Sequence, residues 1–211
     1  MPGGAAFTAR ERALVGRLRT PAAVQRWLRT LHYNWEKRGE TLRSFRRVVR
    51  LGSAHCLEAA LAAAAILEQH GRPPLLLSFE SIDKLDHVLY VFCEHGRWGS
   101  VARSRDPGLH GRKPVFRTPR QLAASYMDAY VDLTGRVMGY AVADLRELGG
   151  YDWRLSERNV WKVEQWLVGY PHRRIGMTDA RHRRLLERFK AFKERYPDRK
   201  PTYFEGRGTW I

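Results

Sequence analysis

The stretch CLEAALAAAAILEQHGRPP (56–74) reads as a helix followed by its own stop signal. As far as Gln69 it consists almost entirely of good helix formers. Gly71 then supplies the C-terminal stop, and Pro73-Pro74 prevents continuation. Apolar residues lie on all sides, which suits a helix in the middle of a domain, and the alanines let neighbouring elements approach closely. A purely structural helix accounts for residues 57–69. It does not explain why a cysteine opens the helix.

The flanking segments set the fold class. Downstream, 75–79, 86–93 and 97–103 read as short strands, the last two joined by Glu94-His95-Gly96, which has hairpin chemistry. Upstream, Thr20-Pro21 is a helix start, and Val24, Trp27, Leu28 and Leu31 follow at helical spacing. Residues 33–40 read as a loop, and 42–51 is short, basic and ambiguous. A further helical stretch is expected within 116–145, including Leu122, Tyr126, Tyr130 and Leu133. Beyond Gly149-Gly150 the composition shifts: Trp153, Trp161 and Trp166 sit among charges, and 177–196 forms a basic amphipathic helix. No internal repeat or low-complexity tract is present. The order is helix, buried helix with a cysteine, then antiparallel strands with a histidine: an α+β fold. The divisions read are a 1–19 N-terminal segment, a 20–135 core and a basic, mainly helical extension over 136–211.

The 211 residues fit one domain with appendages. A hydrophobic content of 44% with 11% aromatics supports a packed core. Lys and Arg number 38 against 22 Asp and Glu, a formal charge of +16, and only seven of the 38 are lysines. Such a balance favours nucleic acid, acidic lipid or acidic proteins as partners, or reflects an Arg-rich soluble enzyme. Two cysteines, Cys56 and Cys93, are too few for a disulfide scaffold or a four-cysteine zinc site. Arginines interrupt 1–19 where a signal peptide needs an apolar run, and no run approaches the ~20 residues that span a bilayer. A cytoplasmic compartment, free thiols, no membrane, no metal and no cofactor are the expectations.

A thiolate is the nucleophile in cysteine catalysis, and a helix N-terminus lowers a thiol pKa through its free N–H groups and positive dipole end. Cys56 lies at such a position. An imidazole within hydrogen-bond reach completes the pair, and His87 opens a strand able to cross the helix start. His55 is adjacent, but a helix turns about 100° per residue, so its ring is expected to point elsewhere. His70, at the far end of the helix, lies ~20 Å away, and His95 sits in the hairpin turn. Cys93 shares a strand face with His87 but at ~20 Å, beyond disulfide reach of Cys56; it reads as a buried free thiol.

The segments TPAAVQRWLRTLHYN (20–34), TLRSFRRV (41–48), SAHCLEAALAAAAILEQHGRPPLL (53–76), DHVLYVF (86–92), RWGSVARS (97–104) and GLHGRKPVFRTPRQLAASYMDAY (108–130) together resemble, in this order, a bacterial branch of the transglutaminase-like cysteine peptidase superfamily. The resemblance implies a papain-like core in which a Cys opens a central helix packed on a small antiparallel sheet. The His and an acid then come from neighbouring strands. Cys56 and His87 match the first two positions. The acid expected a few residues after a Trp is missing, since Gly99, Ser100, Val101 and Ala102 follow Trp98. Asp86, next to the base, falls on the opposite strand face. Ser104, Asp106 or a backbone carbonyl is left to orient His87. The oxyanion hole is expected to include the Cys56 N–H, with Asn34 or Trp35 as the second donor, and Arg103, Arg105 and Arg112 to rim the mouth.

The function implied is cysteine-dependent acyl transfer on a protein or peptide amide, through a Cys56 thioester with His87 as general base, the acceptor being water or an amine. Two alternatives stand beside it. One is nucleic-acid or polyanion binding through 178–200, where Leu185, Leu186, Phe189, Phe192 and Tyr196 form an apolar stripe with the bases opposite. The other is a non-catalytic copy of the scaffold.

Overall fold

The computed structural model describes residues 6–81, 84–131 and 135–211. Leu133 and the side chain of Asp86 lie outside them. The fold is α+β: seven α-helices among the described residues, a six-stranded antiparallel sheet and a two-stranded parallel pair. The helices are α1 (Ala9–Arg17), α2 (Pro21–Thr30), α3 (Phe45–Leu51), α4 (Cys56–Glu68), α5 (Pro119–Ala124), α6 (Trp161–Val168) and α7 (Asp179–Arg195). The strands are β1 (His32–Tyr33), β2 (Ser53–Ala54), β3 (Leu75–Ser81), β4 (Lys84–Glu94), β5 (Arg97–Val101), β6 (Arg112–Phe116), β7 (Gly139–Asp144) and β8 (Arg173–Arg174).

Helix α4 forms for the reasons its sequence gives, and every residue of 57–67 is buried. Leu57, Leu61, Ile66 and Leu67 each contribute roughly 1.5–3 kcal/mol by leaving water. The alanines between them keep the helix thin enough to be packed on all sides. Helices α2 and α5 open alike, on Thr20-Pro21 and Thr118-Pro119, with the threonine hydroxyl accepting the N–H three residues on.

The large sheet runs β6-β5-β4-β3-β7-β8, all antiparallel. The β4–β5 hairpin turns where Glu94-His95-Gly96 predicts, with His95 and Gly96 both at positive φ (48° and 71°), the twist a two-residue hairpin requires. Strand β4 alternates between two apolar layers. Val88, Tyr90 and Phe92 join the core around α4, whereas Leu89 and Val91 join a second core with Phe79, Leu122 and Tyr126. His87 shares the second face.

Two expectations are revised. Among the described residues the stretch 116–145 holds only the short α5 as a helix; β7 occupies its end and lies inside the sheet, pairing with β3 over its full length. Alternating Tyr140, Val142 and Asp144 against Ala141 and Ala143 is the strand pattern that the Leu122–Tyr126–Tyr130 spacing masked. Beyond residue 135, β7 pairs with β3 in the large sheet, and Trp153, fully buried, belongs to the core around α4. Cys93 is exposed, because the hairpin runs past the elements that cover Leu89 and Val91. No helix among the described residues is long and apolar enough to cross a membrane.

Candidate active site

Cys56 is the first residue of α4, so its sulfur stands at the positive end of the helix. Burial pushes the thiol pKa up, but hydrogen bonds to His55 and His87, and the charges of both rings, outweigh it and hold the thiol well below its ordinary range. The sulfur therefore rests between two imidazoles.

His87 is 3% exposed, its ring parallel to Phe79 at 6.3 Å and tilted against Tyr126 at 6.4 Å. Its Nε2 lies 3.0 Å from the Leu109 carbonyl oxygen. A carbonyl only accepts, so Nε2 carries the hydrogen and Nδ1 is the nitrogen left for the sulfur. The partner of His87 Nε2 is thus a backbone carbonyl, one of the three groups expected beside it. Ser104 and Asp106, the other two, line the same cavity but have different partners. The Ser104 hydroxyl accepts the Asp106 N–H at 3.1 Å, and the Asp106 carboxylate pairs with Arg105 (3.1 Å) and Lys200 (3.0 Å). The β4–β5 register, projected onward, would set Ser104 opposite His87. The pairing stops at Val101, and the chain instead folds through a 3-10 turn, Pro107–Leu109, that brings Leu109 back to the histidine.

His55 corrects the sequence reading. It is the N-cap rather than a helical residue (φ −88°, ψ −174°), so the 100° rotation does not apply and its ring turns toward the thiol. Its Nε2 donates to the Thr41 carbonyl at 3.0 Å, and the carboxylates of Glu58 and Glu36 lie at 3.6 and 3.9 Å. Burial pushes the imidazole pKa down; the hydrogen bond with Cys56, the charges of Cys56 and Glu58, and the Thr41 carbonyl raise it to about 9. His70 and His95 stay away: His70 bonds the Val15 carbonyl at 2.9 Å and His95 sits in the turn.

Glu58 holds this end of the site together and was passed over as one polar residue in an apolar helix. Fully buried, it accepts from Asn34 Nδ2 (3.0 Å), Thr41 Oγ1 (2.9 Å), Arg43 N (3.0 Å) and His55 N (3.0 Å). An acid at the third helical position that reaches back to the cap N–H is the signal that would have found it. The same bonds overturn Asn34 as an oxyanion donor, since its amide is spent on Glu58 and Thr41. The side chain of Trp35 is exposed and packs edge-on to Tyr33.

Two cavities meet at Cys56, with Tyr33 in the wall of both. One, of about 310 Å³, holds His87, Ser104 and Asp106 and is closed by Phe189 and Lys193 of α7 and by Lys200, Pro201 and Phe204. The other, of about 390 Å³, is lined by His55, Glu36, Glu40, Glu164 and Trp161. Burial and the charge of Cys56 push the Tyr33 pKa up to about 12. The C-terminal extension is therefore a wall of the site. Its stripe, Leu185, Leu186, Phe189, Phe192 and Tyr196, is half-buried, and ion pairs tie α7 down (Arg181–Asp128, 2.7 Å; Arg136–Asp179, 2.6 Å). Of the three arginines expected at the mouth, Arg105 lines the cavity. Arg103 turns inward onto the Ser104 and Leu31 carbonyls, and Arg112 is buried.

Among the described residues, no group of His, Cys, Asp and Glu could hold a metal ion. No family model matches the chain, and no curated protein matches it.

Proposed function

We propose that the protein is a cysteine-dependent acyl-transfer enzyme on a papain-like core of the transglutaminase-like kind, acting on a protein or peptide amide. The observation that carries this reading is a helix-opening thiol set between two imidazoles that draw its pKa down, in a cavity large enough for a side chain and its backbone. In the mechanism, the Cys56 sulfur attacks the amide carbonyl and the C–N bond breaks. The thiol proton passes to His87 Nδ1, which faces the sulfur, and from there to the leaving amine. The resulting thioester passes its acyl group to water or to an amine that His87 deprotonates. His55, held on Thr41 and flanked by Glu58 and Glu36, keeps a positive charge beside the sulfur and favours the thiolate throughout. The carbonyl of Leu109 fixes the His87 tautomer, the task an acid performs in the resembling superfamily.

The test is acylation. The full chain is incubated with a panel of activated acyl esters and peptide amides, quenched in acid and weighed intact. The expected result is a single acyl adduct on Cys56, absent in Cys56→Ser. No adduct with any ester would overturn the reading.

A second reading, polyanion binding, is favoured by the outward face of α7, where Arg183, Arg184 and Lys190 are exposed. Affinity for plain duplex that falls steeply with salt would support it; no binding at low salt would remove it.

A further inference from the structure

We infer that Arg112 is the positioning residue for His87, acting through the Leu109 carbonyl. This rests on the Cys56–His87 reading and adds the part that holds its third member. Leu109 O turns toward His87, while the carbonyls on either side of it in sequence turn the other way and end on one guanidinium. Arg112 Nη2 donates to Gly108 O at 2.5 Å and Nη1 to His110 O at 2.7 Å, with longer contacts to Ser125 O (3.4 Å) and Gly111 O (3.5 Å). A planar fork suits this task because its two nitrogens are rigidly spaced, whereas a lysine ammonium is a single point.

The arginine is 1% exposed and pairs with carbonyls and rings rather than with a carboxylate. Its guanidinium lies over Tyr126 at 4.1 Å and Trp210 at 5.2 Å, and its Nε has no partner among the described residues. Burying a cation without a counter-charge is unfavourable. A site that tolerates it is one where local rules yield to position. The loop it grips is fitted closely. A Cβ at Gly108 would meet Ala129 at 2.8 Å and Phe204 at 2.9 Å, and one at Gly111 would collide with Gln25 Oε1 and meet Ser100 O at 2.5 Å. Further bonds converge there. The Tyr126 hydroxyl donates to His110 O (3.0 Å), the Arg112 N–H to Ser100 Oγ (3.0 Å) and the Ile211 N–H to Gly111 O (3.2 Å). Residues far apart in the chain thus fix one carbonyl, and that carbonyl sets which nitrogen His87 offers the thiol.

The experiment reads the His87 tautomer directly, by long-range nitrogen–proton NMR on histidine-labelled full chain. It uses a Cys56→Ser background so that no thiolate charge orients the ring. The parent is expected to show one neutral tautomer, hydrogen on Nε2. Arg112→Lys is expected to show a mixture and, with Cys56 restored, about a tenfold slower alkylation of Cys56 at pH 7, while Cys93 alkylates unchanged. Should Arg112→Lys fail to fold, Trp210→Ala uncovers the guanidinium without removing it and is expected to move both readouts the same way, two- to threefold. A single Nε2–H tautomer retained in the folded variant would overturn the inference. If instead the parent Cys56 alkylates as an ordinary thiol, the acyl-transfer reading fails, and the tautomer still decides the role of Arg112.

Discussion

The two histidines beside the sulfur are bound alike and surrounded differently. Each gives its Nε2–H to a backbone carbonyl at 3.0 Å, Thr41 for His55 and Leu109 for His87, and each forms a hydrogen bond with Cys56. Around His55 stand two carboxylates, Glu58 and Glu36; around His87 stand the rings of Phe79 and Tyr126. A carboxylate-flanked imidazole stays charged and serves as a fixed cation. In the proposed mechanism that is the part of His55, and His87, set among aromatic rings with one nitrogen locked, is the general base. The same hydrogen-bond pattern thus stands in two different surroundings, and the proposed division of roles follows that difference.

Removing each ring should break this symmetry most visibly. His87→Ala is expected to lower acyl transfer by about 10³-fold or more, because proton transfer is lost. His55→Gln keeps a hydrogen-bonding side chain but not the charge, and is expected to cost nearer tenfold, mostly as a higher pH for thiolate formation. Paired pH–rate profiles check both; equal losses would collapse the distinction. Glu58→Gln comes next. It replaces a buried acceptor of four N–H and O–H groups with an amide that accepts on one side only, and should cost about 3 kcal/mol in urea unfolding. It should also bring the His55 pKa down from about 9, read by NMR titration.

The smallest effect concerns His110, whose Nε2 donates to Ser104 O (3.0 Å) and whose pKa burial depresses to about 4. Its folded value lies below the unfolded 6.5. The neutral ring therefore contributes stability that is present above pH 6.5 and lost as pH falls toward 4, on the order of 1–3 kcal/mol. His110→Gln should flatten that limb of the stability curve, and an unchanged slope would count against it.

The parts of this site legible in the sequence were those with local signals. The stretch 56–74 announces its helix, its burial and the cysteine that opens it, and Glu94-His95-Gly96 announces the hairpin that follows the strand of His87. Ser104 follows from projecting the β4–β5 register to the position opposite His87 and Asp106 from being the nearest acid downstream, and the structure gives both other partners. The partner of His87 Nε2 is a main-chain carbonyl, to which residue type gives no clue, and its placement depends on where β5 stops pairing. His55 was misjudged because one residue before a helix start the chain is extended, and boundaries are the least certain part of any sequence reading. Arg112 looked like a surface base because its burial comes from segments far off in the chain, Tyr126 and Trp210 among them.

The pairing of Cys56 with His87 is tested most directly by the pH dependence of iodoacetamide alkylation, followed site by site in the wild type and in His87→Ala, with exposed Cys93 as the internal reference. Wild-type Cys56 is expected to react well below pH 8 and to lose this low-pH reactivity in His87→Ala, while Cys93 behaves identically in both. A Cys56 that reacts only as pH approaches the ordinary thiol range of about 8.5, with or without His87, would contradict the pairing.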